Sequence, residues 1–341
     1  MVESSPGPEK LRVGVVGGGY IGKTVGAEFV SDPRSTVVAL ADIDEEAREV
    51  AGETLYVGRG SRYENYAEML DAEEMDAVLV GTPHTLHYEH VTAALDRDLH
   101  VLCDKPLTTD RKRARDLVER SDAADEVLMV GYQRHLNPAF VQARKRWAQG
   151  NRTPTFVTAE ITQDWYSRFS DTWRADPELS GGGNLYDTGS HLVDGVLWTT
   201  GLTPTAVRAD MQFADDEQRV DVEALLNVEF AEGARASISV FSQAPCVREH
   251  VHAWDDEGAI YLEGRQWEPR RLTKVESDST DVVPYVDRER EGSKAGAFID
   301  AIGTGATPPA TARDAFAVTA LTEAAYEAAR TGERVPVDVD V

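Results

Sequence analysis

The chain has 341 residues, with 60 acidic against 35 basic side chains, a net charge of −25 and two cysteines. That length suits two domains with sizeable cores. The charge, with no basic block to offset it, excludes nucleic acid as a partner, and the two cysteines form no spaced set. The basic residues divide into 7 lysines and 28 arginines. An acid-rich, lysine-poor surface fits a protein dissolved in concentrated salt, where screening removes the self-repulsion of the carboxylates. Residues 1–10 read as a polar tail without the apolar stretch of a signal peptide. No run approaches about eighteen consecutive apolar residues, so a cytoplasmic protein without a membrane span is expected.

In chain order, the first element is residues 11–22, LRVGVVGGGYIG. Val13-Gly14-Val15-Val16 reads as a buried strand, and Gly17, Gly19 and Gly22 follow in G-x-G-x-x-G spacing. Gly17 permits the tight strand-to-helix turn, Gly19 lets a pyrophosphate approach the backbone, and Gly22 lets the helix over residues 21–31 pack on the strand. The free N–H groups and positive dipole end of that helix face the phosphates. A second apolar run, 37–41, ends at Asp42, twenty residues past Gly22. A dinucleotide fold places there the carboxylate that binds the adenosine ribose. It repels a 2′-phosphate, so NAD is expected rather than NADP.

Helices are predicted over residues 45–52, 66–71, 87–97 and 109–122. Strands are predicted at a short apolar piece, 55–57, and over 77–81, 100–103 and 127–131. Strands alternating with helices imply a parallel, doubly wound sheet with right-handed crossovers. Ligands bind such sheets beyond the carboxyl ends of the strands, and three polar segments fall there. They are Thr82-Pro83-His84-Thr85-Leu86-His87, Asp104-Lys105-Pro106 and Tyr132-Gln133-Arg134-His135. Three such segments on one sheet edge make a cleft. His84, His87 and His90 stand three residues apart, but successive i, i+3 steps turn around a helix and fan the rings, so no metal is expected. Cys103, in an apolar run, is expected as a buried free thiol.

From residue 131 the pattern changes. A helix over 138–149 precedes strand-like runs at 155–162, 205–213, 220–230, 234–242, 247–255 and 259–263. Sequential alternating strands predict a mostly antiparallel sheet with one face covered, here by a helix over 187–199. Residues 278–292 read as a loop, and helices over 295–303 and 312–331 follow, the second ending at the C-cap Gly332. The chain thus divides into a tail (1–10), a dinucleotide-binding domain (11–131) and an α+β domain (132–341).

The strongest chemical constellation is Lys105 with Asp187 and His191. In a helix beginning near Asp187, Asp187 and His191 stand at i and i+4 on one face. A histidine suits removal of a hydroxyl proton as hydride leaves, a lysine stabilises the developing alkoxide, and a carboxylate tunes and orients either group. Tyr132, Arg134, Gln163, Trp165, Tyr166, Trp173, Arg174 and Asn184 are substrate-side candidates, because aromatic faces with guanidinium and amide donors suit a polyhydroxylated ring.

The order GGGYIG, ADID, TPHTLH, CDKP and GYQRH, continued by GGGNLYDTGSHLVD (residues 181–194) and TGERVPV, resembles the Gfo/Idh/MocA family of NAD(P)-dependent oxidoreductases over nearly the whole chain. The resemblance implies a Rossmann domain followed by a domain with a large, mostly antiparallel open sheet covered by helices on one face. It implies hydride transfer between nicotinamide and a secondary alcohol or carbonyl of a sugar, cyclitol or polyol derivative. It also implies a homodimer or homotetramer formed through the open sheet. Its catalytic set maps to Lys105, Asp187 and His191, with His191 as acid/base and Lys105 as polariser, or the reverse. Its cofactor contacts map to Gly17, Gly19, Tyr20, Ile21, Gly22, Asp42, Thr82, Pro83, His84, His87, Asp104, Lys105 and Gln133. Its substrate contacts map to Lys105, Arg134, Trp165, Arg174, Asn184, Asp187 and His191. Two departures stand out: Asp104 replaces the usual glutamate, and His84 stands where asparagine is common. The alternatives are an NADP-linked aldose dehydrogenase and a non-catalytic nucleotide-sensing regulator, and retention of the Lys105–Asp187–His191 set counts against the regulator. Salt adaptation is checked by circular dichroism and activity across a KCl series: a fold that tightens into molar KCl is expected, and full activity in dilute buffer that disappears in molar KCl contradicts it.

Overall fold

A computed structural model describes residues 10–148, 152–287 and 292–341. All but the last residue of the expected tail, and residues 288–291 of the expected loop, lie outside the described residues. The chain forms a six-stranded sheet followed by a nine-stranded one. The first is built from β1 (Leu11–Val16), α1 (Tyr20–Ser31), β2 (Ser35–Ala41), α2 (Glu45–Thr54), β3 (Arg62–Tyr63), α3 (Tyr66–Ala72), β4 (Ala77–Val80), α4 (His87–Leu95), β5 (His100–Cys103), α5 (Arg111–Ala123) and β6 (Leu128–Val130). All its pairings are parallel, in the order β3-β2-β1-β4-β5-β6. The order reverses between β1 and β4, and a ligand crevice opens at such a switch point. Strands sandwiched between helix layers are buried on both faces, and every residue of β4 is buried accordingly.

The glycine motif behaves as its spacing demands. Gly17 adopts φ +97°, and a Cβ on Gly22 would stand 1.8 Å from the Gly17 carbonyl oxygen. The helix therefore meets the strand as closely as backbone allows. The expected strand at 55–57 is a correction. Tyr56 has a positive φ of 58° and the Val57 N–H returns to the Gly52 carbonyl, so this piece is the turn closing α2. Leu55 and Val57 are apolar because they plug the core, not because they pair. The third strand forms instead at the polar Arg62–Tyr63, where the Arg62 guanidinium is tied to the Val57 carbonyl and the Glu49 carboxylate. Cys103 is a buried free thiol.

The second sheet comes from α6 (Pro138–Ala148), β7 (Phe156–Asp164), the short turns α7 (Tyr166–Phe169) and α8 (Pro177–Ser180), α9 (Ser190–Thr200), β8 (Pro204–Phe213), β9 (Asp221–Phe230), β10 (Arg235–Phe241), β11 (Gln243–Asp255), β12 (Gly258–Arg265), β13 (Arg271–Glu276), β14 (Asp281–Val282), α10 (Lys294–Thr304), α11 (Ala312–Thr331) and β15 (Val335–Pro336). Its order is β14-β13-β12-β11-β7-β10-β9-β8-β15, antiparallel except for the β7–β10 pair. Helices α6, α9 and α11 pack on one face. On the other, β7 alternates outward from Phe156, which pairs in register with Trp254 and Arg235. β14 falls inside the expected 278–292 loop, and β13 and β15 are further strands; β14 and β15 are the two-residue edge strands, each paired on one side only, and β13 lies next to the edge with Leu272 and Thr273 as its buried residues.

Helix α10 returns to the first sheet. Ala295, Phe298 and Ile299 share a core with Val13, Val15 and Leu79, and Phe298 meets Phe29 edge to face at 6.1 Å. The first sheet is therefore packed by segments from both halves of the chain. Among the described residues no helix is long and apolar enough to cross a membrane.

Candidate active site

A cavity of about 1170 Å³ runs along the crevice from the β1–α1 turn and Asp42, past Thr82, Pro83, His84, Asp104 and Lys105, to Asp187 and His191. At its first end Gly17, Gly19, Tyr20 and Ile21 present backbone, and a Cβ on Gly19 would meet nothing within 4 Å. Asp42 closes this end: its Oδ2 accepts the Gly18 N–H at 2.6 Å and its Oδ1 the Asp44 N–H at 2.9 Å. A ligand pocket is commonly about 300–1,000 Å³, so the cavity is large enough for an extended ligand and a second, smaller one. An open glycine turn at a helix N-terminus, with a carboxylate at the next strand's end, fits the two phosphates and the ribose of a dinucleotide.

At the second end the Lys105 Nζ donates to Asp187 Oδ1 at 2.8 Å and to the Asp187 carbonyl at 2.7 Å. Asp187 Oδ2 accepts the Trp165 indole N–H at 2.8 Å and lies 3.2 Å from Arg174 Nε. Burial would raise this carboxyl's pKa, but the charges of Lys105 and then Arg174 outweigh it and hold Asp187 well below the usual carboxylate range. His191 lines the same end. Burial, then the cations Lys105 and Arg134, keep its pKa well below the usual value, and its Nδ1 is buried without a hydrogen-bond partner among the described residues. It is a neutral imidazole with unused bonding capacity.

Asp187 does not open an α-helix, as the i, i+4 reading assumes. It sits in a π-helical turn, Leu185–Gly189, that runs into α9. Such turns recur at functional sites. The cause of the entry geometry is a buried carboxylate on β9. Asp221 accepts the Gly183 N–H at 3.1 Å and the Leu185 N–H at 2.9 Å, and the Tyr326 hydroxyl of α11 donates to it. It satisfies two of the N–H groups that a helix start leaves orphaned.

The other expected residues divide. Gln133, Arg134, Gln163, Trp173 and Arg174 line the cavity; Gly22, His87, Tyr132, Trp165, Tyr166 and Asn184 do not. His87 is buried beneath the β4 turn, with ring nitrogens 2.7 Å from the Pro106 carbonyl and 2.8 Å from the Thr82 carbonyl. Trp165 is fully buried and acts on Asp187 rather than on a ligand. Asn184 is also fully buried and accepts from Gln163 Nε2 at 3.2 Å. Arg134 reaches the cavity wall, but its guanidinium is held by Glu249 at 2.6 and 3.1 Å. Metal-like spacing among His84, His87 and His90 resolves into separate contacts, since His84 Nδ1 faces the Ser180 carbonyl and His90 Nδ1 the Thr82 hydroxyl.

Sequence reasoning missed Lys294, which lines the cavity from the first turn of α10 and reaches Asp104 at 3.4 Å. The available signal was its scarcity, because a cation at a helix N-terminus opposes the dipole and the chain has few lysines to place. Glu249 and Arg270, brought in from β11 and from the segment before β13 respectively, had no such signal.

A nucleotide turn leading into a cation–carboxylate–imidazole cluster defines a dinucleotide-dependent oxidoreductase. Residues 11–132 match a family described as the GFO/IDH/MocA oxidoreductase family with an NAD-binding Rossmann fold, and residues 140–261 match the GFO/IDH/MocA C-terminal domain. The chain is similar to the D-xylose 1-dehydrogenase (NADP(+)) of Haloarcula marismortui, 25% identical over 96% of this chain and 93% of that one. It is similar to inositol 2-dehydrogenase 4 of Saccharopolyspora erythraea, 25% identical over 97% and 96%. Its fold matches the aldose-aldose oxidoreductase of Caulobacter crescentus, with a TM-score of 0.83, 22% identity, and 96% and 100% coverage. The protein belongs to the Gfo/Idh/MocA family and is an NAD(P)-dependent oxidoreductase.

Buried neutral histidines make the fold acid-sensitive. Burial holds His84 at about 3 and His90 at about 4, below an unfolded value of about 6.5. Between those values the unfolded chain binds more protons, so the stabilisation is complete above about pH 6.5 and is lost as pH falls, at up to about 1.4 kcal/mol per pH unit per group. Urea midpoints should fall from pH 7.5 to pH 5.0, and His84→Asn, which keeps an N–H for the Ser180 carbonyl, should flatten the slope. Unchanged slopes contradict this.

Proposed function

We propose that the protein is a dehydrogenase using NAD to oxidise a secondary alcohol of a sugar, cyclitol or polyol derivative, or reducing the matching carbonyl. One observation carries the reading: a lysine fixed by an ionised buried carboxylate shares a cavity wall with a neutral, partly unpartnered histidine, and the same cavity reaches the nucleotide turn. The names of the xylose and inositol dehydrogenases it is similar to support the substrate class.

Each group then has a definite task. The bound nicotinamide supplies the hydride acceptor. Gly17, Gly19 and the α1 N-terminus would hold its phosphates, Asp42 the adenosine ribose, and Thr82, Pro83 and His84, which line the cavity between the two ends, would hold the nicotinamide. The Lys105 ammonium, aimed by Asp187, donates to the carbinol oxygen and stabilises the alkoxide as the proton leaves. The neutral His191 ring takes that proton, and in reduction its imidazolium returns it. The π-helical turn holds Asp187 and the start of α9 in one frame, so acid/base group and polariser move together.

NAD is favoured over NADP because the Asp42 carboxylate faces the cavity, while the nearby Arg48 guanidinium is engaged by the Asp42 carbonyl at 2.6 Å. Assembly through the open face of the second sheet is proposed on its exposed apolar residues Phe156, Leu225 and Trp254. The cytoplasm suits the two unpaired cysteines.

A spectrophotometric panel of sugars, inositols, polyols and sugar acids, with NAD and with NADP, tests the reading. Turnover should be seen with NAD, should fall by about 10²–10³ in Lys105→Ala, an effect of the size of losing a transition-state donor, and should shift toward NADP in Asp42→Ser. Nucleotide binding without turnover of any compound would move the reading to the regulator, and an unchanged cofactor ratio in Asp42→Ser would remove Asp42 from the ribose site.

A further inference from the structure

The charges buried around the substrate end do not balance. Two triads face it, each with one carboxylate between two cations. In the first, Asp187 lies between Lys105 and Arg174. In the second, Glu249 lies between Arg134 and Arg270, with Nε of the latter at 3.0 Å. The second triad is almost fully enclosed, its side chains 2 to 6% exposed. Burial would raise the Glu249 pKa, but its two arginines lower it, so this carboxylate is ionised like Asp187. Among the described residues the other charges at this end cancel among themselves, while the remaining cavity carboxylates stand elsewhere: Asp42, Glu64 and Glu89 toward the nucleotide turn, and Glu28 accepting the Ala295 N–H. Lys294 pairs with Asp104, Arg168 at the rim with Asp164, and the rim residue Glu268 with Arg265. His84 and His191, on this wall, are neutral, burial being the first cause. Among the described residues two positive charges are therefore left over at this largely buried end, within a chain of net charge −25. An uncompensated buried charge is costly unless a partner arrives.

Arg174 shows where that partner docks. Its guanidinium carbon lies 4.9 Å from the centre of the Phe169 ring and 4.5 Å from that of Trp173, so the plane is held by two aromatic faces. Its Nε is spent on Asp187. Its two terminal nitrogens make no hydrogen bond among the described residues, and the residue lines the cavity. A planar, pre-oriented edge of two N–H donors matches the two oxygens of a carboxylate, and a bidentate pair of this kind is stronger than a neutral contact. We propose that the polyol handled here carries a carboxylate, seated on the terminal nitrogens of Arg174, so that the substrate is a sugar acid rather than a neutral sugar. This rests on the dehydrogenase reading for the reaction, but the recognition stands on the triads alone.

The test compares D-glucose with D-glucuronate, D-galactose with D-galacturonate, and the two 6-phosphates, on the full-length protein in KCl with NAD present. Calorimetry reads binding, and nucleotide reduction reads turnover. The uronates should bind at least tenfold more tightly than their parents. In whichever pair is turned over, kcat/KM should favour the acid by about a hundredfold. Arg174→Gln should raise KM for the acid far more than for the parent, and Arg174→Lys should keep part of the preference. A global structural role for Arg174 would affect both compounds alike. Equal or tighter binding of the neutral parents, preference for the phosphates over the uronates, or equal losses in Arg174→Gln would overturn the proposal. Uronate-selective binding with no turnover of any compound of the wider panel would uphold it while sinking the reading of the site as a sugar dehydrogenase, and turnover of neutral sugars alone would do the reverse.

Discussion

A single buried carboxylate sets the chemistry of this molecule. Asp187 accepts from Lys105 and from the Trp165 indole and lies against Arg174, so the end of β5 and the segment after β7 are fixed by one pair of oxygens. Without that charge two cations would face each other in a closed space. With it, one ammonium is aimed along the crevice and one guanidinium presents its edge. Its ionised state and its position reinforce each other, because the partners that lower its pKa are those it positions.

The frame that keeps Asp187 in place is spread over both sheets. Lys105 arrives from the end of β5 in the first sheet, Trp165 from the end of β7 in the second, and the π-helical turn is anchored by Asp221 and Tyr326 from β9 and α11. Helix α10 crosses back to pack Phe298 on Phe29 and brings Lys294 to Asp104. The substrate end is thus assembled from both sheets and the chain's later helices, while the nucleotide end is almost wholly local to residues 17–42. This is why the two ends differ in how far the sequence revealed them.

Where a function depends on contiguous backbone, the sequence was readable. The Gly17–Gly22 turn and Asp42 follow from spacing alone, and the parallel strand order follows from buried apolar runs such as Ala77–Val80. Residues 55–57 misled because a core plug and a buried strand carry the same apolar signal, whereas Arg62–Tyr63 pairs at a sheet edge with polar side chains. In the site, Lys105, Asp187 and His191 were legible through the resemblance. The division of labour around them was not: Trp165 and Asn184 look like ligand contacts in sequence but are buried supports, and Glu249 and Arg270 carry no local pattern. Ion-pair triads are made by tertiary packing, and their net charge is visible only when every partner is in place.

The interdependence of Lys105 and Asp187 is measured most directly by a double-mutant cycle on kcat/KM with Lys105→Met, Asp187→Asn and the double variant, using the best compound of the substrate panel. If Asp187 acts through Lys105, removing both should be no worse than removing the more damaging one, because groups that act as a unit are non-additive. Losses that multiply would show two independent contributions and contradict the organising role of the buried carboxylate.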